Sequence, residues 1–327
     1  MNKKIKIGVL GAANIAERYI LPAINNLEAN FDLIGISSRS LEKAQKIALQ
    51  FETKAYEGYD SIINNETIEA VYIPLPNSMH FKWAEKALLN GKHVLMEKSL
   101  GCTYQEVLHL TNIAIDNKLV LFENFQFRFH PQLNQIINIL NKNVIGEIRS
   151  LRASFGFPPF KDSQNIRYNS ELGGGALLDA GAYTTKISQI LLGKELLVKA
   201  ASLNYNDQYS VDIWGGAFLQ NTKTGVFAEL SFGFDNFYQC GIEILGTKGK
   251  LSTNRLFTSP PGHQPSILLE TTTGKETISI DPANHFEQML LHFYNLVNNV
   301  KQMDDEHKNN LDQARLLSEI KKIAHEK

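Results

Sequence analysis

The segment Gly91-Lys92-His93-Val94-Leu95-Met96-Glu97-Lys98-Ser99 joins a short apolar run to a carboxylate and an ammonium. His93 to Met96 has the pattern of a buried strand, which places Glu97 and Lys98 at its carboxyl end. In an open parallel sheet, ligands bind in the crevice outside the carboxyl ends of the strands. A lysine there can donate a proton, hold a substrate hydroxyl or bind a phosphate. The alternative is a solvated Glu–Lys pair. A second candidate is Gly173-Gly174-Gly175-Ala176-Leu177-Leu178-Asp179-Ala180-Gly181-Ala182-Tyr183. Its triple glycine permits close approach of backbone at the mouth of an apolar helix. Asp179 and Tyr183, four residues apart, share one helix face. A carboxylate beside Leu177 and Leu178 is costly without a cationic partner such as Lys98. Helix capping by Asp179 and core packing by Tyr183 form the structural alternative.

The elements that must position these groups fall into two textures. Strand signals at Ile5 to Leu10, Phe31 to Ser37, Ala70 to Ile73, His93 to Met96 and Leu119 to Phe122 alternate with helical ones. The helices are expected at Ile15 to Leu27, Leu41 to Phe51, Met79 to Asn90 and Tyr104 to Asn117. Repeating βα units of this length imply a doubly wound parallel sheet. After Glu123 a helix at Pro131 to Asn141 precedes period-2 runs. These are Glu147 to Phe157, Val198 to Asn206, Val211 to Leu219, Gly225 to Phe234 and Gln239 to Leu245. They suggest an open, largely antiparallel sheet with one covered face. A helix from Ala176 to Leu192 interrupts them, and helices at Asn284 to Val300 and Asn310 to His325 close the chain. The expected division is residues 1–123 and 124–327, with the C-terminal helix able to pack back on the first domain.

Gly11-Ala12-Ala13-Asn14-Ile15-Ala16 follows the first strand and opens the first helix, the place of a dinucleotide fingerprint. Ala13 and Ala16 stand where glycines are usual, so only Gly11 is kept. The second strand ends in Ser37-Ser38-Arg39-Ser40, with Lys43 one turn later and no acid before Glu42. An acid would suit the ribose hydroxyls of NAD; a hydroxyl with a guanidinium suits the 2′-phosphate of NADP. The alternative is a helix N-cap, Ser40, beside a solvated arginine. Pro74-Leu75-Pro76 makes the third turn rigid, with Asn77 or Ser78 placed to cap the next helix. His80 is either a contact of substrate or cofactor or a structural histidine.

Composition excludes several classes. With 33 basic and 34 acidic residues among 327, the net charge is −1, so nothing marks a nucleic-acid or anionic-membrane partner. The N-terminal apolar run is too short for a signal peptide, and no run is long enough for a membrane span. Cys102 and Cys240 lack metal-type spacing, so neither disulfide nor metal site is expected. A cytoplasmic protein follows.

Taken together, Gly11 to Ala16, Pro74 to His80, Glu97-Lys98, Glu123 to Pro131 and Gly173 to Tyr183 resemble the glucose–fructose oxidoreductase / inositol dehydrogenase (Gfo/Idh/MocA) family. The pieces lie in family order along the whole chain. Ser99 replaces the usual proline after Glu-Lys, and Tyr183 stands where many members have histidine. That points to the tyrosine subgroup. Ser231 to Phe234, Tyr238, Glu243 to Gly249 and Arg255 to Pro265 look most like NDP-hexose 3-ketoreductases of deoxysugar pathways. The resemblance implies an N-terminal Rossmann domain, NADP(H) as cofactor, and a C-terminal α+β domain whose open sheet carries substrate and often a subunit contact. It also places Asn124 and Arg167 near the nicotinamide ribose and the substrate, leaving Arg128 there or as a structural ion-pair partner.

The expected reaction is NADPH-dependent reduction of a sugar ketone. The developing alkoxide needs a proton and positive charge, and lysine and tyrosine both ordinarily carry protons at neutral pH. Lys98 or Tyr183 is the donor, with Asp179 orienting the lysine or the sugar hydroxyls. The cofactor set comprises Gly11, Ala12, Ala13, Asn14, Ile15, Ser38, Arg39, Lys43, Pro74, Leu75, Asn77, His80, Glu97, Lys98, Asn124 and Arg167. The rival readings are an NADP-dependent dehydrogenase of a free sugar or trans-dihydrodiol, and a non-catalytic NADP-binding sensor. The expected partners are a sugar or nucleotide-sugar substrate and further copies of the chain.

Overall fold

The computed structural model describes residues 3–299 and 303–326. The run Ile5–Leu10 forms the first strand, β1, with only Lys6 exposed. Phe31–Ser38 (β2), Lys54–Glu57 (β3), Ala70–Ile73 (β4), His93–Glu97 (β5) and Leu121–Asn124 (β6) join it, every pair parallel. Their spatial order is β3-β2-β1-β4-β5-β6, the doubly wound order whose strand sequence reverses between β1 and β4. Helices Leu21–Asn26 (α1), Leu41–Gln50 (α2), Asp60–Ile63 (α3), Asn77–Leu89 (α4) and Tyr104–Asp116 (α5) connect the strands. Local chemistry sets their starts: Ser40 caps α2, and Thr103 with Glu106 forms a complete capping box on α5.

Pro131–Asn141 (α6) leads into an eight-stranded sheet. Its strands are Ile148–Gly156 (β7), Leu196–Asn206 (β8), Tyr209–Asn221 (β9), Phe227–Gly233 (β10), Gln239–Gly246 (β11), Gly249–Thr253 (β12), Ser266–Thr271 (β13) and Gly274–Ser279 (β14). The order is β14-β13-β12-β11-β7-β10-β9-β8, antiparallel except for β7 beside β10. Leu151, Ala153, Phe155, Leu230, Phe232, Ile242 and Ile244 are buried on one face, where Ala182–Leu192 (α7) packs on β7 and β10. His285–Asn298 (α8) and Met303–His325 (α9) follow. Described residues up to Phe125, with Phe286–Leu311, form one compact unit; Gln126–His285, with those from Asp312 on, form the other. In the first, Phe286 stacks on Tyr19 at 4.7 Å and Asn26 donates to Glu287 at 2.7 Å.

Both sheets have the expected character, with local differences. β3, α3 and the strands β12 to β14 were not expected. β3 and β14 are edge strands with no buried position in their patterns, so no apolar period marks them. The helices expected at Ile15 to Leu27 and Ala176 to Leu192 each contain a π-helical turn, Ala16–Ile20 and Leu177–Gly181. α9 begins at Met303 rather than Asn310, its acidic first turn favoured by the helix dipole. The expected α8 end, Val300, lies outside the described residues.

Candidate active site

Gly11 leaves β1 with φ of 129°, a conformation that residues with a Cβ rarely adopt. A Cβ there would stand 2.9 Å from Leu75 Cδ2. Its N–H donates to Ser37 O at 2.8 Å, fastening the turn to the end of β2. Ala12 and Ala13 are half-buried; Asn14 is exposed and, with Ile15, already helical. Small side chains here suit close approach of a pyrophosphate to a helix start. At the end of β2, Ser38 Oγ accepts from Ser40 N at 3.2 Å, and Ser40 Oγ accepts from Lys43 N at 3.4 Å. Arg39 is exposed, its guanidinium against the phenol of Tyr59, whose pKa is raised by burial with the guanidinium opposing. No carboxylate pairs with Arg39 among the described residues. A phosphate suits a cation held in this way.

Pro74, Leu75 and Pro76 carry β4 into α4. Pro76 takes the N-cap position without a side-chain cap bond, and Asn77 is the first helical residue rather than the cap. His80 is fully buried, with Nδ1 2.7 Å from Ser99 O and Nε2 2.7 Å from Leu75 O. The ring therefore ties the turn after β4 to the turn after β5. Two carbonyls favour the protonated ring, but burial, joined by the Lys98 charge, outweighs them and pushes the pKa down to about 4. At neutral pH one nitrogen donates and the other contact is a cost. At the end of β5, Glu97 Oε1 accepts from Tyr72 Oη at 2.6 Å and from Asn124 Nδ2 at 2.7 Å. Tyr72 lies on β4 and Asn124 on β6, so both neighbouring strands hold the carboxylate. Lys98 follows, half-buried, and its peptide bond to Ser99 is cis. Leu100 N donates to Glu123 Oε1 at 2.9 Å and fixes the far side of this turn.

In the second unit, the turn before α7 explains two of its three glycines. A Cβ on Gly174 would stand 2.5 Å from Arg167 O. Gly175 has φ of 115° and a Cβ there would stand 2.3 Å from Asp212 Oδ1. Asp212, buried on β9, accepts from Leu177 N at 2.6 Å and so caps the π-helical turn. Burial raises its pKa, with the backbone N–H groups opposing. Asp179, inside that turn, accepts from Arg167 Nε at 2.5 Å. The guanidinium lies 5.0 Å from the centre of the Phe160 ring and close enough to the Tyr183 phenol to interact with it electrostatically. Tyr183 is buried, edge-on to Phe155 at 5.1 Å, with Phe127 and Phe257 each at 5.8 Å. Its hydroxyl is 3.4 Å from the Gln126 amide. Arg128 lies over the Phe129 ring at 5.3 Å.

Three residues of this constellation escaped sequence reasoning: Tyr72, Gln126 and Asp212. Each is a polar group inside an otherwise apolar stretch, and a buried polar group needs a partner. That was the available signal.

Comparison with known proteins identifies the family. The description "oxidoreductase family, NAD-binding Rossmann fold" of Gfo/Idh/MocA proteins matches residues 5–125, and that of their C-terminal domain matches residues 133–252. A dTDP-3,4-didehydro-2,6-dideoxy-alpha-D-glucose 3-reductase from Streptomyces violaceoruber is 39% identical over 84% of this chain and 80% of its own. One of the same name from Actinomadura kijaniata is 36% identical over 97% and 95%. The crystal structure of a 3-ketoreductase from Actinomadura kijaniata, in complex with NADP and TDP-benzene, is similar at a TM-score of 0.94 and 35% identity, covering 98% of each chain.

Proposed function

Because the chain belongs to the Gfo/Idh/MocA oxidoreductase family, we propose that it reduces, with NADPH, the 3-keto group of a dTDP-linked keto-deoxyhexose. The observation that carries this reading is the likeness, over 97% of the chain, to a 3-reductase of such a sugar. Lys98, Asp179 and Tyr183 are all present, and a non-catalytic sensor would need none of them.

When bound, NADPH supplies the hydride. We assign residues 1–123, joined by Asn124, to cofactor binding and the remainder of residues 124–327 to substrate binding and oligomerisation. Gly11, Ala12, Ala13, Asn14 and Ile15 take the pyrophosphate; Ser38, Arg39 and Lys43 take the 2′-phosphate. Pro74, Leu75, Asn77, Glu97 and Asn124 serve the nicotinamide half, with His80 bracing their turns. A ketone that receives hydride becomes an alkoxide, which needs positive charge and a proton within hydrogen-bond reach. The Lys98 ammonium and the Tyr183 phenol supply these. Glu97, gripped by Tyr72 and Asn124, fixes the direction in which the chain leaves β5 towards Lys98. Arg167 neutralises Asp179, while Asp179 orients the lysine or sugar hydroxyls.

The test is a substrate panel followed by nicotinamide absorbance. A dTDP-linked 3-keto-deoxyhexose should oxidise NADPH, and free aldoses and trans-diols should not reduce NADP. Turnover of an aldose or diol in its place replaces this reading.

We extend the proposal to a cytoplasmic homo-oligomer joined through the outward face of the second sheet. Glu229, Arg152 and Glu243 stand opposite one another on β10, β7 and β11, and Lys250, Glu270 and Lys275 continue the alternation of charge. A ladder of alternating sign is self-complementary, and Trp214 and Leu245 lie exposed on the strands beside it. Light scattering checks it, and a monomeric mass overturns it. Among the described residues, no helix is long and apolar enough to cross a membrane.

A further inference from the structure

A cavity of about 610 Å³ at the end of the second sheet runs from Arg152, Ser154 and Glu243 on the outward face to Asn254, Tyr238 and Arg255 at the strand ends. Most of its charges are matched. Arg152 pairs with Glu229 at 2.5 Å and Glu243 at 3.7 Å, and Glu243 also meets Lys250 at 3.2 Å. Arg255 differs. It is half-buried, donates through Nη1 to Tyr238 Oη at 2.8 Å, and lies 5.0 Å from the centre of that ring. Among the described residues no carboxylate pairs with it. Tyr238 Oη is itself 3.2 Å from Thr258 Oγ1, so the phenol that aims the guanidinium is held from a second side. A half-buried cation without a counter-ion is costly to fold around. Of its five N–H donors one is used, and the remaining fork matches phosphate oxygens.

Position narrows the ligand. The Tyr238 ring is 6.3 Å from Phe157, Phe157 is 4.6 Å from Phe155, and Phe155 is edge-on to Tyr183 at 5.1 Å. Two phenyl rings thus separate the phenol assigned to proton transfer from the one that aims Arg255. In a nucleotide sugar the diphosphate hangs from the anomeric carbon of the hexose that carries the ketone, so it must settle near the reacting carbon. We infer that Arg255, oriented by Tyr238, is the diphosphate-binding residue for the nucleotide sugar. This rests on the nucleotide-sugar reading above.

Calorimetric titration of the NADP-loaded protein with dTDP, thymidine and inorganic pyrophosphate tests it. Arg255→Ala should weaken dTDP by at least roughly tenfold, the loss typical of a charged hydrogen bond. Thymidine and NADPH affinities should not change. Arg255→Lys should fall between wild type and alanine, since it keeps the charge and loses the fork. Tyr238→Phe, which removes only the aiming oxygen, should weaken dTDP severalfold and covers the case in which the alanine variant fails to fold. Arg255→Ala binding dTDP within twofold of wild type, with unchanged melting, overturns the assignment. The same holds for equal losses of dTDP and thymidine. If wild type reduces the dTDP sugar and Arg255→Ala does so with unaltered KM, the subsite falls and the function stands. If wild type ignores dTDP but binds pyrophosphate through Arg255, the function falls and the anion site stands.

Discussion

Two glycine-led turns, Gly11 to Ala16 and Gly173 to Ala176, each run into a single π-helical turn and then an α-helix. What approaches the backbone differs. At Gly11 the close approach comes from one flexible side chain, Leu75, with Pro74 at an ordinary contact distance of 3.7 Å, and the residues that follow are small and partly exposed. At Gly174 and Gly175 the space is filled from within, by the Arg167 carbonyl and the Asp212 carboxylate. Asp212 sits on Leu177 N as a bound anion would sit on a helix start. A glycine therefore marks a need for closeness without naming the partner. The first turn is open to a ligand; the second is closed by the protein and aims side chains.

Four experiments test that contrast. The largest effect is expected where the aimed groups act. Lys98→Ala or Tyr183→Phe, whichever removes the proton donor, should lower kcat about 10²–10⁴-fold with NADPH affinity retained. Near-normal turnover in both variants would remove the chemistry from these residues. Next, Gly175→Ala pushes a Cβ against Asp212 and should cut kcat about a hundredfold by misplacing Asp179 and Tyr183, since small displacements at a reacting centre cost that much. Fluorescence titration should find NADPH affinity intact, and a matching loss of cofactor binding would erase the distinction between the turns. Third, Arg39→Ala should weaken NADPH about tenfold and leave NADH nearly unaffected; equal losses count against a 2′-phosphate site.

The smallest effect concerns the brace between the turns after β4 and β5. Burial pushes the His80 pKa down to about 4, against about 6.5 in an unfolded chain. The folded state binds this proton more weakly, so stability is full above pH 6.5 and declines as pH falls towards 4. The contribution is on the order of 3 kcal/mol. His93 and His285, pushed down to about 4 and about 3, act in the same direction. Denaturant melts of His80→Gln across that range should show a flatter dependence than wild type. An unchanged slope would mean that His80 does not titrate on unfolding.

Much of the first unit was legible from its residues. Runs such as Ile5–Leu10 and Ala70–Ile73 are buried on both faces and carry their own signal. Edge strands such as Lys54–Glu57 and Gly274–Ser279 have solvated faces and were invisible for that reason. At the site, residue type and spacing singled out Lys98, Asp179 and Tyr183. Their supports were hidden, because Tyr72, Gln126 and Asp212 gain meaning only from partners far along the chain.

By itself, then, the sequence determined the βα alternation, the glycine positions, the absence of an acid at the end of β2 and the chemical types available for proton transfer. These are local properties of composition and period. Only the tertiary structure decided that Glu97 is clamped between two strands, that His80 bridges two turns, that Arg167 holds Asp179, and that the second glycine turn encloses the chain's own carboxylate. Each of these is a hydrogen bond or ion pair between distant residues, whose strength depends on burial and distance, and neither is written in residue order.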